Sequence, residues 1–396
     1  MKVCVIGPFI SAGIADLLDA VHAEDLKRYP ATRGSNVVSL VRALIAEGVE
    51  TEVITLDPAA ERPVVFQGEG LRYTLLPSRR NRQLRDVYAY ERRFLRDAIS
   101  RSEADVIHIQ WTYQYALGAL DSGRRATLIT VHDRAASLLR WLTWQYAPQY
   151  LMTRYVYRKG RHFTAASPYL AEYVRRFTRR PVWVVPNCTG VQWSASAAEP
   201  SDPKVDGVFR ICSALSSEKY KNAPGALRAF GRVRRSLPGA RYVLIGPGLE
   251  PGGAVARWAA DHGLDAGVEF RGEIPHENVL REFAASHVIF HASREEGFGL
   301  TLIEGMTLNR VVVAGSRTGA CPWVLDGGKA GILADVASPE ESAAALMRIY
   351  ENWDWAMGIA REGHRMAKDR FSPQVVARRF IGIYGEVARD AAIAAG

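Results

Sequence analysis

The chain has 396 residues, 48% of them hydrophobic and 23% charged, with 34 glycines and 19 prolines. At roughly 100–200 residues per domain, with single cores rarely growing past about 250–300 residues, this length predicts two or three domains. The composition excludes a disordered, collagenous or low-complexity chain. The formal charge of +9 favours acidic partners, whether nucleic acid, an anionic membrane surface or phosphorylated small molecules, without choosing among them.

In chain order, Met1–Gly7 reads as a buried first strand rather than the h-region of a signal peptide. Further strands are predicted at 52–56, 73–77, 105–110, 127–131, 162–166 and 182–186, all rich in Val and Ile with little strict alternation. A polar, small, proline-punctuated stretch between Trp193 and Gly207 marks a domain boundary. It separates a first domain, 1–193, from a second, 208–373. Strands then recur at 209–215, 241–246, 268–272, 288–292, 311–314 and 331–333, with amphipathic helices such as 223–237 and 340–350 between them. A last helix, 374–392, has no strand after it and is expected to pack across the boundary, back towards the first domain. Strand–helix alternation of this kind means α/β with parallel sheets, here two doubly wound Rossmann-like domains facing a central cleft. No apolar run approaches the roughly 18–20 residues that span a bilayer, and the chain reads as soluble and cytoplasmic. Cys4, Cys188, Cys212 and Cys321 are scattered singly, which argues against structural zinc and against a disulfide framework.

The segment from His291 to Met306 carries the most chemistry. A strand ends near Ser293, a loop with Gly297 and Gly299 follows, and a helix begins at Gly299 or Leu300. The carboxyl end of a parallel strand is where ligands bind in such sheets. The unpaired N–H groups from about Phe298 to Leu302, at the positive end of the helix dipole, suit a diphosphate. Glu296 stands at the loop mouth and Glu304 lies eight residues on. A carboxylate so close to an anion site finds its natural partner in a neutral diol such as ribose. Either glutamate alone would be adequately explained as complementing the helix dipole; the whole string favours a nucleotide diphosphate with a third group near Glu296.

Glu296-x7-Glu304, with Gly297, Phe298, Gly299 and Leu300 inside it, resembles the signature of glycosyltransferase family 4, retaining enzymes of GT-B fold. The resemblance extends to His132-Asp133 at a strand end, Pro186-Asn187 at the domain crossing, Gly246-Pro247-Gly248, Phe270-x-Gly272, and Phe371-Ser372 before the last helix. It implies that Glu304 binds ribose, that Glu296 and His132 meet the donor sugar, and that Leu300 and Thr301 supply backbone donors to the diphosphate. Gly34 would border the diphosphate, and Ile274 would lie against the base. It further implies a front-face, retaining transfer from a UDP- or GDP-type donor, with no cofactor and no metal. The acceptor would be a sugar, a lipid-linked group or a small molecule, in bacterial glycan or glycolipid synthesis.

The chain also departs from the family. Its Arg-x4-Lys pair falls on Cys212–Asn222, where Lys219 or Lys221 supplies the lysine according to register, and Ala214 or Ser216 stands in place of the arginine. Lys221 keeps the better helix spacing. Trp323 occupies a position where the family often has glutamate, and a Gly-Gly pair is reduced to Arg33-Gly34. A nucleotide-sugar epimerase of the same fold and a non-catalytic binding subunit are the alternative readings. A nicotinamide-dependent oxidoreductase is excluded, because the loop from Gly7 to Gly13 is not G-x-G-x-x-G.

Two stretches of the first half stand apart. Residues 79–101 hold eight arginines against three acids, and 140–161 interleave Trp141, Trp144, Tyr146, Tyr150, Tyr155 and Tyr157 with Arg154, Arg158 and Lys159. Basic amphipathic helices with interfacial aromatics suit an anionic membrane surface, which would put the protein peripherally on the inner face; a solvated basic face over core aromatics is the plainer reading. No recognition module for nucleic acid is present.

Overall fold

The computed structural model describes residues 1–29, 34–141, 146–194 and 197–394. The chain forms two compact units, Met1–Gly190 with Ser372–Gly396, and Val191–Phe371.

The first unit is built on β1 (Lys2–Ile6), β2 (Glu50–Asp57), β3 (Val64–Gly68), β4 (Leu71–Pro77), β5 (Val106–Gln110), β6 (Thr127–Val131), β7 (His162–Ala165) and β8 (Val182–Val184). They form one sheet in the order β3-β4-β2-β1-β5-β6-β7-β8. Every residue of β5 and β6 is buried, as expected of strands covered on both faces. Pairing is parallel throughout except between β3 and β4, which are antiparallel. The sequence pattern misses β3. Its run is short, and its signal is a hairpin turn, Glu69-Gly70, with Gly70 at φ 68°. Buried Phe66 beside exposed Val65 shows the alternation of an edge strand with one covered face.

The helix Pro373–Ile393 belongs to this unit. Val376, Phe380, Tyr384 and Val387 recur at helical spacing and are buried, each contributing about 1.5–3 kcal/mol of apolar burial. The Tyr384 hydroxyl meets His108 Nδ1 on β5 at 2.7 Å, and Arg378 pairs with Glu47 at 3.0 Å.

The second unit carries β9 (Arg210–Ala214), β10 (Arg241–Ile245), β11 (Val268–Gly272), β12 (Val288–His291), β13 (Val311–Gly315) and β14 (Ile332–Ala334), ordered β11-β10-β9-β12-β13-β14. All pairs are parallel. Strand order reverses between β9 and β12, so the crevice outside their carboxyl ends is the topological switch point. The polar stretch before β9 is tied down within this unit. Arg361 holds Glu199 at 2.7 Å, Arg310 donates to the Ala198 carbonyl at 2.8 Å, and the Trp193 indole donates to the His364 carbonyl at 3.0 Å.

Candidate functional site

At the switch point, β12 runs out at His291 and the chain turns through Gly297 and Gly299 into the helix Leu300–Thr307. Gly299 is the N-cap with φ 94°, a left-handed angle that no β-carbon would share comfortably with Leu302 Cδ1, 2.9 Å from where that atom would stand. Gly297 takes no such angle. Two contacts hold the loop from beneath. The Ala320 N–H donates to the Glu296 carbonyl at 3.0 Å, and buried Phe298 packs edge-on against Phe371 and Trp323, with ring centroids 5.7 and 6.4 Å away. Trp323 therefore serves as part of the loop's apolar floor. The first turn of the helix leaves the Leu300 and Thr301 N–H groups without intrahelical acceptors, a ready anion site.

The charges converge on this loop. Lys221, at the end of the short 3-10 helix Lys219–Lys221 after β9, places Nζ 3.0 Å from Glu296 Oε2. His291 Nε2 lies 3.2 Å from the same oxygen, while its Nδ1 shares a 3.0 Å hydrogen bond with Thr301 Oγ1. Burial alone would raise the Glu296 pKa, but the Lys221 charge and His291 overcome it and hold the carboxylate far below its ordinary value. Lys219 is exposed and has no side-chain partner among the described residues. Of the two registers, the fold brings Lys221 to the glycine loop. No arginine takes the family's position beside it: Ala214 closes β9, and the Ser216 hydroxyl donates to Glu218 at 2.8 Å.

Glu304, one turn further along the helix, is buried. Its Oε1 accepts a 2.8 Å bond from Nε2 of His276, the first residue of the helix Ala284 closes (His276–Ala284). That bond raises the imidazole pKa, partly against the effect of burial. Ile274 lies half-buried in the short connection from β11 to this helix. Glu296, Gly297, Phe298, Gly299, Leu300, Thr301, Glu304 and Lys221 thus gather beyond the carboxyl ends of β9 and β12. Cationic and N–H groups there suit a diphosphate, and the carboxylates suit hydroxyls. Sequence reasoning missed His276 and His291. His291 sits inside the glycine-loop segment, where its place at the strand end was a usable signal; nothing in sequence spacing ties His276 to Glu304.

The other two expected residues lie in the first unit. Gly34, φ 104°, caps the helix Ser35–Ala46, and a β-carbon there would run into the Pro8 carbonyl; Arg33 falls outside the described residues. His132, just past β6, packs tilted against Trp111 with ring centroids 4.3 Å apart and bonds through Nε2 to Gln110 Oε1 at 2.6 Å. Next to it, the Tyr113 hydroxyl donates to Asp133 at 3.0 Å. Burial lowers the pKa of His132 and of His108 to about 3 and raises that of Asp133 to about 6, the last opposed by the Tyr113 bond. For a histidine with a depressed folded pKa, the unfolded chain takes up the proton first, so stability falls as pH drops from 6.5 towards 3. Asp133 works the other way between about 6 and 3.8, where the folded state binds the proton. The expected result is that neither imidazole titrates between pH 8 and 5. Nuclear magnetic resonance of the ring C2–H groups checks this, and a midpoint near 6.5 for either ring would contradict it.

The arginine-rich stretch does not act as one surface. Arg79 is committed to buried Glu91 at 2.7 Å and to Asp86 at 2.8 Å, Arg92 to Asp121 and Arg96 to Asp97, both at 2.8 Å. Arg80, Arg82 and Arg85 are exposed, in a segment where Arg82, Val87 and Tyr88 all take positive φ. On the helix Ala147–Lys159, Leu151 and Tyr155 are exposed by 65% and 49%. Trp144 lies outside the described residues. Among the described residues no helix is long and apolar enough to cross a membrane, and no group of three or more His, Cys, Asp or Glu could hold a metal ion.

Residues 34–192 match the family model for Glycosyltransferase Family 4, and residues 198–366 that for Glycosyl transferases group 1. Over 178 residues the chain is 28% identical to the D-inositol 3-phosphate glycosyltransferase of Corynebacterium kroppenstedtii, a match covering 43% of this chain and only 39% of that protein. Among solved structures, sucrose-phosphate synthase from Thermosynechococcus elongatus superposes with a TM-score of 0.74 at 16% identity, over 98% of this chain and 99% of that one. HepE from Anabaena, in complex with UDP and glucose, superposes with a TM-score of 0.70 at 16% identity, over 98% and 100%. At such identities the structures speak for the fold alone, two Rossmann-like α/β domains of the GT-B type. With the two family models covering well over half of the chain between them, this protein belongs to glycosyltransferase family 4.

Proposed function

We propose that the protein is a retaining glycosyltransferase that moves a sugar from a UDP- or GDP-type donor to an acceptor hydroxyl, in bacterial glycan or glycolipid synthesis. The observation that carries this reading is the Lys221–Glu296 pair at the mouth of an open helix N-terminus, with the Glu304 carboxylate one turn on. In this reading Glu304 takes the ribose hydroxyls, and Lys221 with the Leu300 and Thr301 N–H groups takes the diphosphate. Glu296 and His132 take hydroxyls of the donor sugar. The bond from the anomeric carbon to the phosphate oxygen breaks as positive charge develops on the sugar ring. The departing phosphate oxygen accepts the acceptor's hydroxyl proton, and the new glycosidic bond forms on the face just vacated, which retains configuration. The Lys221 cation and the helix dipole carry the leaving-group charge, so turnover is expected to survive chelation of divalent metal. The UDP and glucose bound by HepE favour a uridine donor as the first to try.

The absence of an arginine at Ala214 or Ser216 favours one second reading, a nucleotide-sugar-binding subunit without turnover of its own. A hydrolysis screen of UDP-, GDP-, ADP- and dTDP-sugars, with and without a chelator, separates the two. Slow donor hydrolysis supports the transferase, and binding without hydrolysis supports the subunit. Failure of all four nucleotides to bind would end both.

A peripheral position on the cytoplasmic face of a membrane is the corresponding proposal for the acceptor side. Exposed Arg80, Arg82 and Arg85, with Leu151 and Tyr155, combine charge and apolar anchors. Each basic residue near an anionic surface contributes up to about 1 kcal/mol, screened over about 8 Å at physiological salt. Replacing the three arginines by glutamine is expected to release the protein from anionic liposomes at low salt with donor hydrolysis intact. Arg79 is left in place because its ion pairs hold the segment. Wild-type protein that ignores such liposomes would instead point to a soluble acceptor.

A further inference from the structure

We propose that His276 is a positioning residue for the ribose of the bound nucleotide, acting by holding the Glu304 carboxylate. The proposal rests on the reading that Glu304 takes the ribose, and it adds a residue to which neither the family signature nor any sequence spacing points. The Glu304 side chain is only 7% exposed, and among the described residues its carboxylate has a single partner, His276 Nε2 at 2.8 Å. A buried carboxylate left unpaired is costly and free to turn about its last torsion. Because Nε2–H occupies Oε1, the other oxygen, Oε2, is left to accept a hydroxyl. The imidazole itself is 47% exposed, so it joins a buried carboxylate to solvent.

The surroundings fit this role. His276 opens its helix directly after Ile274 and Pro275, in the connection leaving the carboxyl end of β11. On the same helix Arg281 is taken by Glu277 at 3.8 Å, and Arg210 of β9, which packs against that helix, is taken by Glu282 at 2.7 Å. Neither cation is a substitute partner for Glu304, so the orientation of that carboxylate depends on one imidazole. A diol recognised by a fixed carboxylate is discriminated from a deoxy analogue far better than one recognised by a carboxylate that must first be oriented, because the ordering is already done.

The experiment is calorimetric titration of the full-length protein with UDP and with its 2′-deoxy and 3′-deoxy counterparts, or with the corresponding set for whichever base the screen prefers. Wild type is expected to prefer the ribonucleotide by about tenfold over at least one deoxy analogue, the scale of one lost hydrogen bond to a charged group. His276→Ala should lose most of that preference, while His276→Gln, whose amide can still donate to Glu304, should keep it within about threefold. A His276→Ala protein that discriminates like wild type overturns the proposal. So does a His276→Gln protein that falls as far as the alanine variant, since only packing would then matter. Glu304→Ala is the control. If it leaves the preference intact, the ribose reading of Glu304 fails; if it abolishes the preference while His276→Ala does not, only the role of His276 fails.

Discussion

Glu304→Ala is expected to weaken nucleotide binding by about 1.5–3 kcal/mol, a loss of roughly ten- to more than a hundredfold in affinity, because bonds from ribose hydroxyls to a charged acceptor are removed. The fold should survive. Glu304 lies in the helix Leu300–Thr307, where alanine is a good helix former, and the substitution frees His276 to turn its exposed ring to water. Calorimetric titration of the purified variant decides the matter, alongside a thermal melt to establish folding. Undiminished affinity in a folded variant would remove the ribose assignment and with it the nucleotide reading of the whole loop.

The second large effect is expected from Lys221→Met. Loss of a fixed cation from the diphosphate should lower kcat/KM by about 10²–10³-fold. Lys219→Ala, at an exposed and unpaired position, should change it less than about threefold. A larger loss at Lys219 would reverse the register inferred from the fold. Lys221→Met should also destabilise the second unit, since Glu296 stays largely buried with His291 alone beside it. The two side chains are 23% and 16% exposed, and partial solvation limits the cost to about 1–3 kcal/mol. Its pH dependence has a definite sign. In the wild type the depressed Glu296 pKa gives stability that is present above the ordinary value of 4.5 and is lost only as pH falls through the lower folded value. Without Lys221 the effect of burial is opposed only by His291, so the carboxyl pKa rises and the deficit should shrink as the medium becomes acid. Denaturation of both proteins at pH 7.5 and at pH 4, below the ordinary carboxylate value, tests this; a deficit that grows in acid would contradict the assigned pair.

The second effect cannot be read from spacing alone, since Lys219 and Lys221 lie two residues apart on the same short segment. Which one meets the glycine loop depends on the 3-10 turn after β9, closed by Asn222 in a left-handed conformation. The Asn222 amide donates to the Ala292 and Val336 carbonyls at 3.1 and 2.8 Å. That turn is a tertiary decision, made by the ends of strands far away in sequence. The same holds for Arg79, which composition counts with seven other arginines and the fold spends on Glu91 and Asp86.

Local, one-dimensional physics leaves its pattern legible along the chain. Runs of apolar, β-branched residues announce thirteen of the fourteen strands among the described residues, and helical periodicity announces the last helix. Gly299 and the unfilled first turn after it announce an anion site, because backbone geometry and helix polarity are properties of a few adjacent residues. The fourteenth strand, β3, escaped because an edge strand of five residues gains its identity from the neighbour it pairs with rather than from its own burial. Long-range packing, by contrast, sets β9 beside β12, Lys221 against Glu296 across 75 residues, and His276 against Glu304 across 28. Such pairings depend on strand order and on the turns that leave each strand, and the sum of many long-range packing choices that fixes them leaves no mark on any single stretch of sequence.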